Sequence, residues 1–206
     1  LLIASKELLA GLAAILAAVP PALASDRGEG RDETFFVRMP EDVISVTHGG
    51  AVGLKPFPEG VPALDGPALK TALALTVRIR NKDGEVIGFA SELEDFPNGK
   101  DPAAKWNAWW TVVIPGRGAL FAFEEEAIPA AHAPAFKSVA EGKNWQGSIG
   151  AQVAAGPRAD GKGVILGGDG EFAGAAGSIA EFTTLKGLTT DGVMTGLLEL
   201  RVSLEP

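Results

Sequence analysis

The sequence predicts an all-β domain, an antiparallel barrel or sandwich, and three observations carry that expectation. Residues 71–80 (TALALTVRIR) alternate strictly between apolar and small or charged side chains, the period of a strand with one buried face. Asn81-Lys82-Asp83-Gly84 follows at once, and Asp-Gly supplies the positive φ that a tight hairpin needs. Glycine (27) and proline (14) then punctuate the rest of the 206 residues at short intervals, leaving room for strands and little helix.

Taken in order, residues 8–19 (LLAGLAAILAAV) form a short apolar run that ends in Ala22-Leu23-Ala24, the pattern of a secretory signal peptide. The expectation is a removable segment over 1–24, a flexible polar leader over 25–33, and one domain over 34–206. The mature protein would be secreted or periplasmic. Residues 34–39 and 43–47 are short strands. Residues 48–67 hold five glycines and four prolines and read as a long loop. Residues 71–79 and 85–94 form a hairpin, and 96–105 a loop. Residues 107–114 (NAWWTVVI) are rich in aromatic and β-branched side chains, turn at Pro115-Gly116-Arg117-Gly118, and return over 119–125. Residues 127–141 read as an irregular loop or one short helix. Residues 147–153, 162–166, 178–185 and 193–204 complete the strands.

Composition excludes several chemistries. A net charge of −8 offers no cationic stripe for nucleic acid. The absence of cysteine removes disulfides, thiolate metal sites and a cysteine nucleophile, and the absence of tyrosine removes phenolic acid–base chemistry. His48 and His132 lack the spacing of a metal pair, so no metal site is expected. In Gly168-x-Gly170 the third glycine of a dinucleotide loop is replaced by Ala173, and the segment that follows is strand-like. No cofactor is expected.

Residues 164–185 (VILGGDGEFAGAAGSIAEFTTL) resemble the G-G-x-G-x-F-x-G-A-x-G segment of the allene oxide cyclase barrel family and of plant dirigent proteins. Residues 106–124 are similar to the two strands that precede it there, and the resemblance covers roughly 69–204. It implies a small antiparallel eight-stranded β-barrel, commonly trimeric. Gly168 and Gly170 would make a tight turn, Gly174 and Gly177 the bends and close approaches of the wall, and Phe172 would plug one end of the core. The plant activities do not carry over: the early-strand Glu of the cyclases has no assigned counterpart in 35–49, and the dirigent pocket tyrosine has none at all.

Polar residues within strands are the functional candidates, because each either faces solvent or enters the lumen and needs a partner there. On the last strand, 193–204, the alternation sends Glu199 and Arg201 outward. Trp106 and Trp110 share one face of their strand, while Trp109 takes the other with Asn107. The expectation is that Asn107, Trp109 and Glu181 bind an apolar small molecule, with Glu124 and Arg78 as the candidate catalytic charges and Arg78 close enough to lower the pKa of Glu124. Glu92, Glu94 and the run Glu124-Glu125-Glu126 otherwise read as solvated strand ends. The smooth face of Ala72, Ala74 and Thr76 suits a subunit contact, with a homotrimer favoured. Two functions fit: a cofactor-independent isomerase or cyclase that folds a flexible substrate in its lumen, or a non-catalytic, dirigent-like orienting or structural envelope protein.

Overall fold

The structure is a computed structural model and describes residues 30–48, 69, 71–96 and 104–206. The signal-peptide segment, most of the leader and the 48–67 loop beyond His48 lie outside the described residues. Eleven strands form among the described residues: β1 (Arg31–Met39), β2 (Val43–His48), β3 (Ala72–Arg80), β4 (Val86–Asp95), β5 (Trp106–Ile114), β6 (Gly118–Glu126), β7 (Trp145–Gln152), β8 (Ala154–Gly156), β9 (Gly163–Gly168), β10 (Gly177–Leu188) and β11 (Met194–Leu204). The helix α1 (Ala133–Ala140), with Pro134 in its first turn, follows a short 3-10 turn over Ala130–His132. The first strand starts at Arg31, inside the segment expected to be a leader, because Arg31 pairs with Leu204 at the far end of the chain.

The eight wall strands run in the order β1-β11-β10-β9-β6-β5-β4-β3, all antiparallel, and Phe36 opposite Arg80 joins β3 back to β1. This closed eight-stranded barrel is the expected architecture. Closure satisfies every edge by pairing, so no wall strand is left to aggregate. Strand β2 adds to β3, β7 to the second half of β10, and β8 to the end of β6. Among the described residues no helix is long and apolar enough to cross a membrane.

One end of the lumen is a dry plug. Phe35, Val37, Val77, Ile79, Val112, Ile114, Leu120, Ile179, Leu200 and Val202 fill it, and Phe172 closes it from the 3-10 turn Gly170–Phe172, buried at 1 % exposure. Arg31 and Arg117 lie over the Phe172 ring, 5.5 and 5.3 Å from its centroid, and Arg117 bonds Glu33 and Glu171. The expected glycine roles hold here. Gly170 has φ +58°, and a Cβ on it would meet the Arg117 carbonyl at 2.3 Å; at Gly177 (φ +142°) a Cβ would meet the Ser203 carbonyl at 2.0 Å. Gly168 is held against Ala119 and Phe172, and Gly174 turns the chain back toward β10.

The turn between β1 and β2 locks onto β3 through Asp42, which is fully buried. Its carboxylate accepts from the Arg38 backbone N–H (2.9 Å) and twice from the Arg80 guanidinium (2.8 and 2.7 Å). Burial alone would raise the Asp42 pKa, but the Arg80 and Arg38 hydrogen bonds and the charges of Arg80 and Arg78 outweigh it and hold the carboxyl below its ordinary value.

Candidate active site: a carboxyl-lined lumen end

The opposite end of the lumen is built from strands whose pattern is inverted. On β6 the inward residues are Leu120, Ala122, Glu124 and Glu126, whereas Phe121 faces out. On β4, Ala90, Glu92 and Glu94 face in and Phe89 and Leu93 face out. Isolated strands of this composition would bury their aromatic face. The neighbours decide otherwise, because β5 offers Trp106, Ala108, Trp110, Val112 and Ile114 on one side, and its register fixes which residues of β4 and β6 share it. Glu94, Ala108 and Glu124 form one cross-strand row, Glu92, Trp110 and Ala122 the next, and Trp106 stands opposite Glu126. The two alanines leave space between the acids.

Glu181 joins from β10. Strand β9 lies between β6 and β10 but begins at Gly163, where a Cβ would be 2.4 Å from Glu124 Cγ. The missing side chain lets Glu124 reach β10, and the backbone N–H of Glu181 donates to Glu124 Oε1 at 3.2 Å. Thr183 Oγ1 donates to Glu181 Oε1 at 2.8 Å. At the outer edge the Trp106 indole N–H lies between Glu126 Oε2 (2.9 Å) and Glu94 Oε1 (3.1 Å), and the Trp106 ring packs on Phe96 at 5.3 Å.

Five glutamates thus converge, and among the described residues none of them pairs with Lys, Arg or His. Glu92, Glu124, Glu126 and Glu181 are buried and Glu94 is half-buried. Burial first, and the neighbouring carboxylates second, push Glu124 up to about 8 and Glu94 to about 8. Burial, partly offset by the Thr183 hydrogen bond, takes Glu181 to about 7, while Glu92 and Glu126 stand well above the carboxylate range. Glu126 lies within hydrogen-bonding reach of Glu92, Glu94 and Glu124. As ionised acceptors, Glu92 Oε1, Glu124 Oε2 and Glu126 Oε1 have no partner. A contact between two carboxyl oxygens becomes a hydrogen bond when one carries a proton, so a proton held between Glu126 and a neighbouring glutamate lowers the cost of burying them together. Oxygens of Glu92, Glu126 and Glu181 also lie within 4.8 Å of one another, a spacing open to a hard cation. Trp110 Nε1 is buried on the same inner face, in register with Glu92, and has no acceptor among the described residues.

The sequence expectations divide cleanly. Glu124 and Glu181 lie in the lumen as candidates. Trp109 is on the outer wall, 41 % exposed, with its ring 5.5 Å from that of Phe123, so the Trp109–Asn107 face is not the lumen face. Arg78 is also outside: it bonds the Glu41 carbonyl, pairs with Asp42 at 3.4 Å, and does not touch Glu124. Strand alternation puts Arg78 on the face opposite Val77 and Ile79, which are the lumen residues of β3. Glu92, Glu94 and Glu126, expected at solvated ends, are the acids that complete the cluster, and Trp106 and Trp110 are its aromatic walls. A legible signal was present on β5, where the Trp106–Trp110 face is uniformly apolar and the Trp109 face carries Asn107 and Thr111.

No protein-family model matches the chain, and no curated protein matches it. Among solved structures, pyocyanin demethylase aligns with 84 % of this chain and 99 % of its own length at 16 % identity, with a TM-score of 0.44.

Proposed function

We propose that this barrel binds an apolar small molecule at the carboxyl-lined end of its lumen and acts as a cofactor-independent isomerase or cyclase, exchanging protons between its glutamic acids and the bound compound. The observation that carries this reading is the convergence of five inward glutamates which, among the described residues, have no basic partner, beside a buried indole N–H with no acceptor among them. Neighbouring carboxyls that cannot all ionise provide a neutral acid and a carboxylate side by side, which is the pair that proton transfer requires. The test is a titration with an environment-sensitive dye or an unsaturated fatty acid, followed by Trp fluorescence. Trp106→Ala is expected to weaken binding by about 1–3 kcal/mol through lost apolar contact, with Trp109→Ala close to wild type. Equal affinities in wild type and Trp106→Ala would place the ligand elsewhere.

We further propose self-association through the outer wall of β3–β6 and β9. Ala72, Ala74 and Thr76 continue there into Leu93, Trp109, Phe121 and Leu166, of which Leu93 (54 %) and Leu166 (61 %) are the most exposed. In a chain of net charge −8, this mainly apolar stretch of wall is where two copies meet with the least like-charge repulsion. Trp109→Arg is expected to lower the assembly state in sedimentation equilibrium; a wild-type protein that is monomeric at micromolar concentration would count against the idea.

A further inference from the structure

We infer that the lumen end takes a neutral, enolisable carbonyl compound, its oxygen received by the Trp110 indole N–H and by a protonated Glu92, with Glu124 as the proton carrier. This rests on the isomerase reading above and names the substrate class of the same site.

Trp110 is independent of the acids and points to what is missing. Its side chain is 1 % exposed, and Nε1 has no hydrogen-bond partner. An unpaired buried donor is costly, and a bound acceptor removes that cost. Many glutamate oxygens stand on the same face, yet among the described residues none accepts from it, and a ligand oxygen would supply the acceptor. That ligand is neutral near the indole, because the acids around it, Glu92 and Glu94 on β4, Glu124 and Glu126 on β6 and Glu181 on β10, are held together by shared protons and oppose an added anion. A carbonyl oxygen meets these requirements: it accepts two hydrogen bonds, is uncharged on entry, and gains negative charge only during reaction.

The roles within the cluster follow from their contacts. Glu92 is the cross-strand neighbour of Trp110, and its Oε1 has no partner among the described residues, so a protonated Glu92 offers an O–H on the same lumen face as the indole N–H. Glu124 receives the Glu181 backbone N–H on Oε1, which favours its carboxylate form, and keeps Oε2 free. Ala122, opposite Trp110 and two residues before Glu124, puts only a methyl group between them. In the forward step, Glu124 Oε2 takes a proton from the carbon next to the carbonyl. The C–H electron pair becomes a C–C π bond, and the carbonyl π pair moves onto oxygen, where the two donors hold the enolate. Glu124 exchanges its proton with solvent between the two half-steps, and delivery of a proton from it to the γ carbon of a β,γ-unsaturated ketone restores the carbonyl and shifts the double bond into conjugation. The molecular formula is unchanged, and no electrons enter or leave.

The experiment uses the whole protein with cyclohex-3-enone and an open-chain β,γ-unsaturated ketone in D2O, following deuterium uptake and conjugation by NMR. Metal-free buffer with a chelator is one arm and added Ca²⁺ another. Expected are exchange above the buffer rate in the metal-free arm, a loss of about 100-fold in Trp110→Phe, and loss of exchange with retained binding in Glu124→Gln. In wild-type protein labelled with ¹⁵N, the Trp110 indole signal is expected to move downfield when the conjugated product is added, and that of Trp109 to stay. This reading does not depend on any variant folding. Dye binding without exchange for either ketone, or an unmoved Trp110 signal, overturns the carbonyl assignment and leaves the binding-barrel reading standing. Exchange that appears only with Ca²⁺ overturns the role given to protons. Absence of both dye binding and exchange removes the underlying reading as well.

Discussion

Thermal stability is expected to increase as the pH is lowered from 9 to about 5, the reverse of ordinary acid denaturation. Each lumen glutamate has a folded-state pKa above its unfolded value near 4.5: about 7 for Glu181, about 8 for Glu94 and Glu124, and well above the ordinary value for Glu92 and Glu126. Between the unfolded and folded values the native state therefore holds more protons than the unfolded chain. Stability is fully present below the unfolded pKa and is lost as the pH rises through the folded ones, at about 1.4 kcal/mol per pH unit for each proton retained. Over pH 5–8 the coupled cluster shares this loss among its members, so the sum amounts to several kcal/mol. Asp42 works in the other direction. Its depressed pKa contributes stability that is present above the ordinary aspartate value and disappears in stronger acid. The two effects place the stability maximum near pH 5. Calorimetric scans at half-unit pH steps measure the profile. Glu126→Gln, which removes the acid in reach of three others, is expected to raise the melting temperature at pH 9 and to flatten the slope, whereas the exposed Glu85→Gln leaves it unchanged. A wild-type melting temperature that is constant or rises from pH 5 to 9 would sink the shared-proton account.

The second large effect is expected at the β1–β2 turn. Asp42→Ala removes the carboxylate that pairs with Arg80, whose side chain is only 11 % exposed, and also leaves the Arg38 N–H without its acceptor. Removing one partner of a buried pair strands the other charge in a poorly solvated place, which typically costs about 3–5 kcal/mol. For a domain of this size that corresponds to roughly 6–20 °C in melting temperature. Glu41→Ala is the control, since Glu41 also contacts Arg80 but is 57 % exposed in its side chain, and exposed pairs contribute about 0–1 kcal/mol. Chemical denaturation of both variants at pH 7 tests the difference. A loss below about 1 kcal/mol in Asp42→Ala would show that Arg80 finds another partner. The consequence reaches the barrel itself, because Arg80 sits at the register point where β3 meets β1.

The sequence by itself determined what is set within a few residues. The strands at 72–80, 86–95, 106–114 and 118–126 arise from alternation and β-branched content, and the turns at Asp83-Gly84 and Pro115-Gly118 from glycine's access to positive φ. On β11 the pattern was unambiguous: Leu198, Leu200 and Val202 face in, and Glu199 pairs with Arg201 outside. Phe172 as the plug of one barrel end also followed from the glycine-rich segment around it. Only the tertiary structure decided the site. Alternation says that Trp109 and Trp110 oppose each other, and that Glu124 shares a face with Glu126, but not which face is concave. That choice is made by closure, when β3 returns to β1 and every inward side chain must fit one common lumen. On β4 and β6 the outcome runs against local hydrophobicity, with Phe89, Leu93 and Phe121 outside and Glu92, Glu94, Glu124 and Glu126 inside. The convergence of Glu181 on Glu124 depends on a side chain that is absent, at Gly163 of an intervening strand. A single strand carries none of that information, because the energy that turns the acids inward comes from the wall they complete and from the protons they share, and both exist only after residues 57 positions apart in the chain have met.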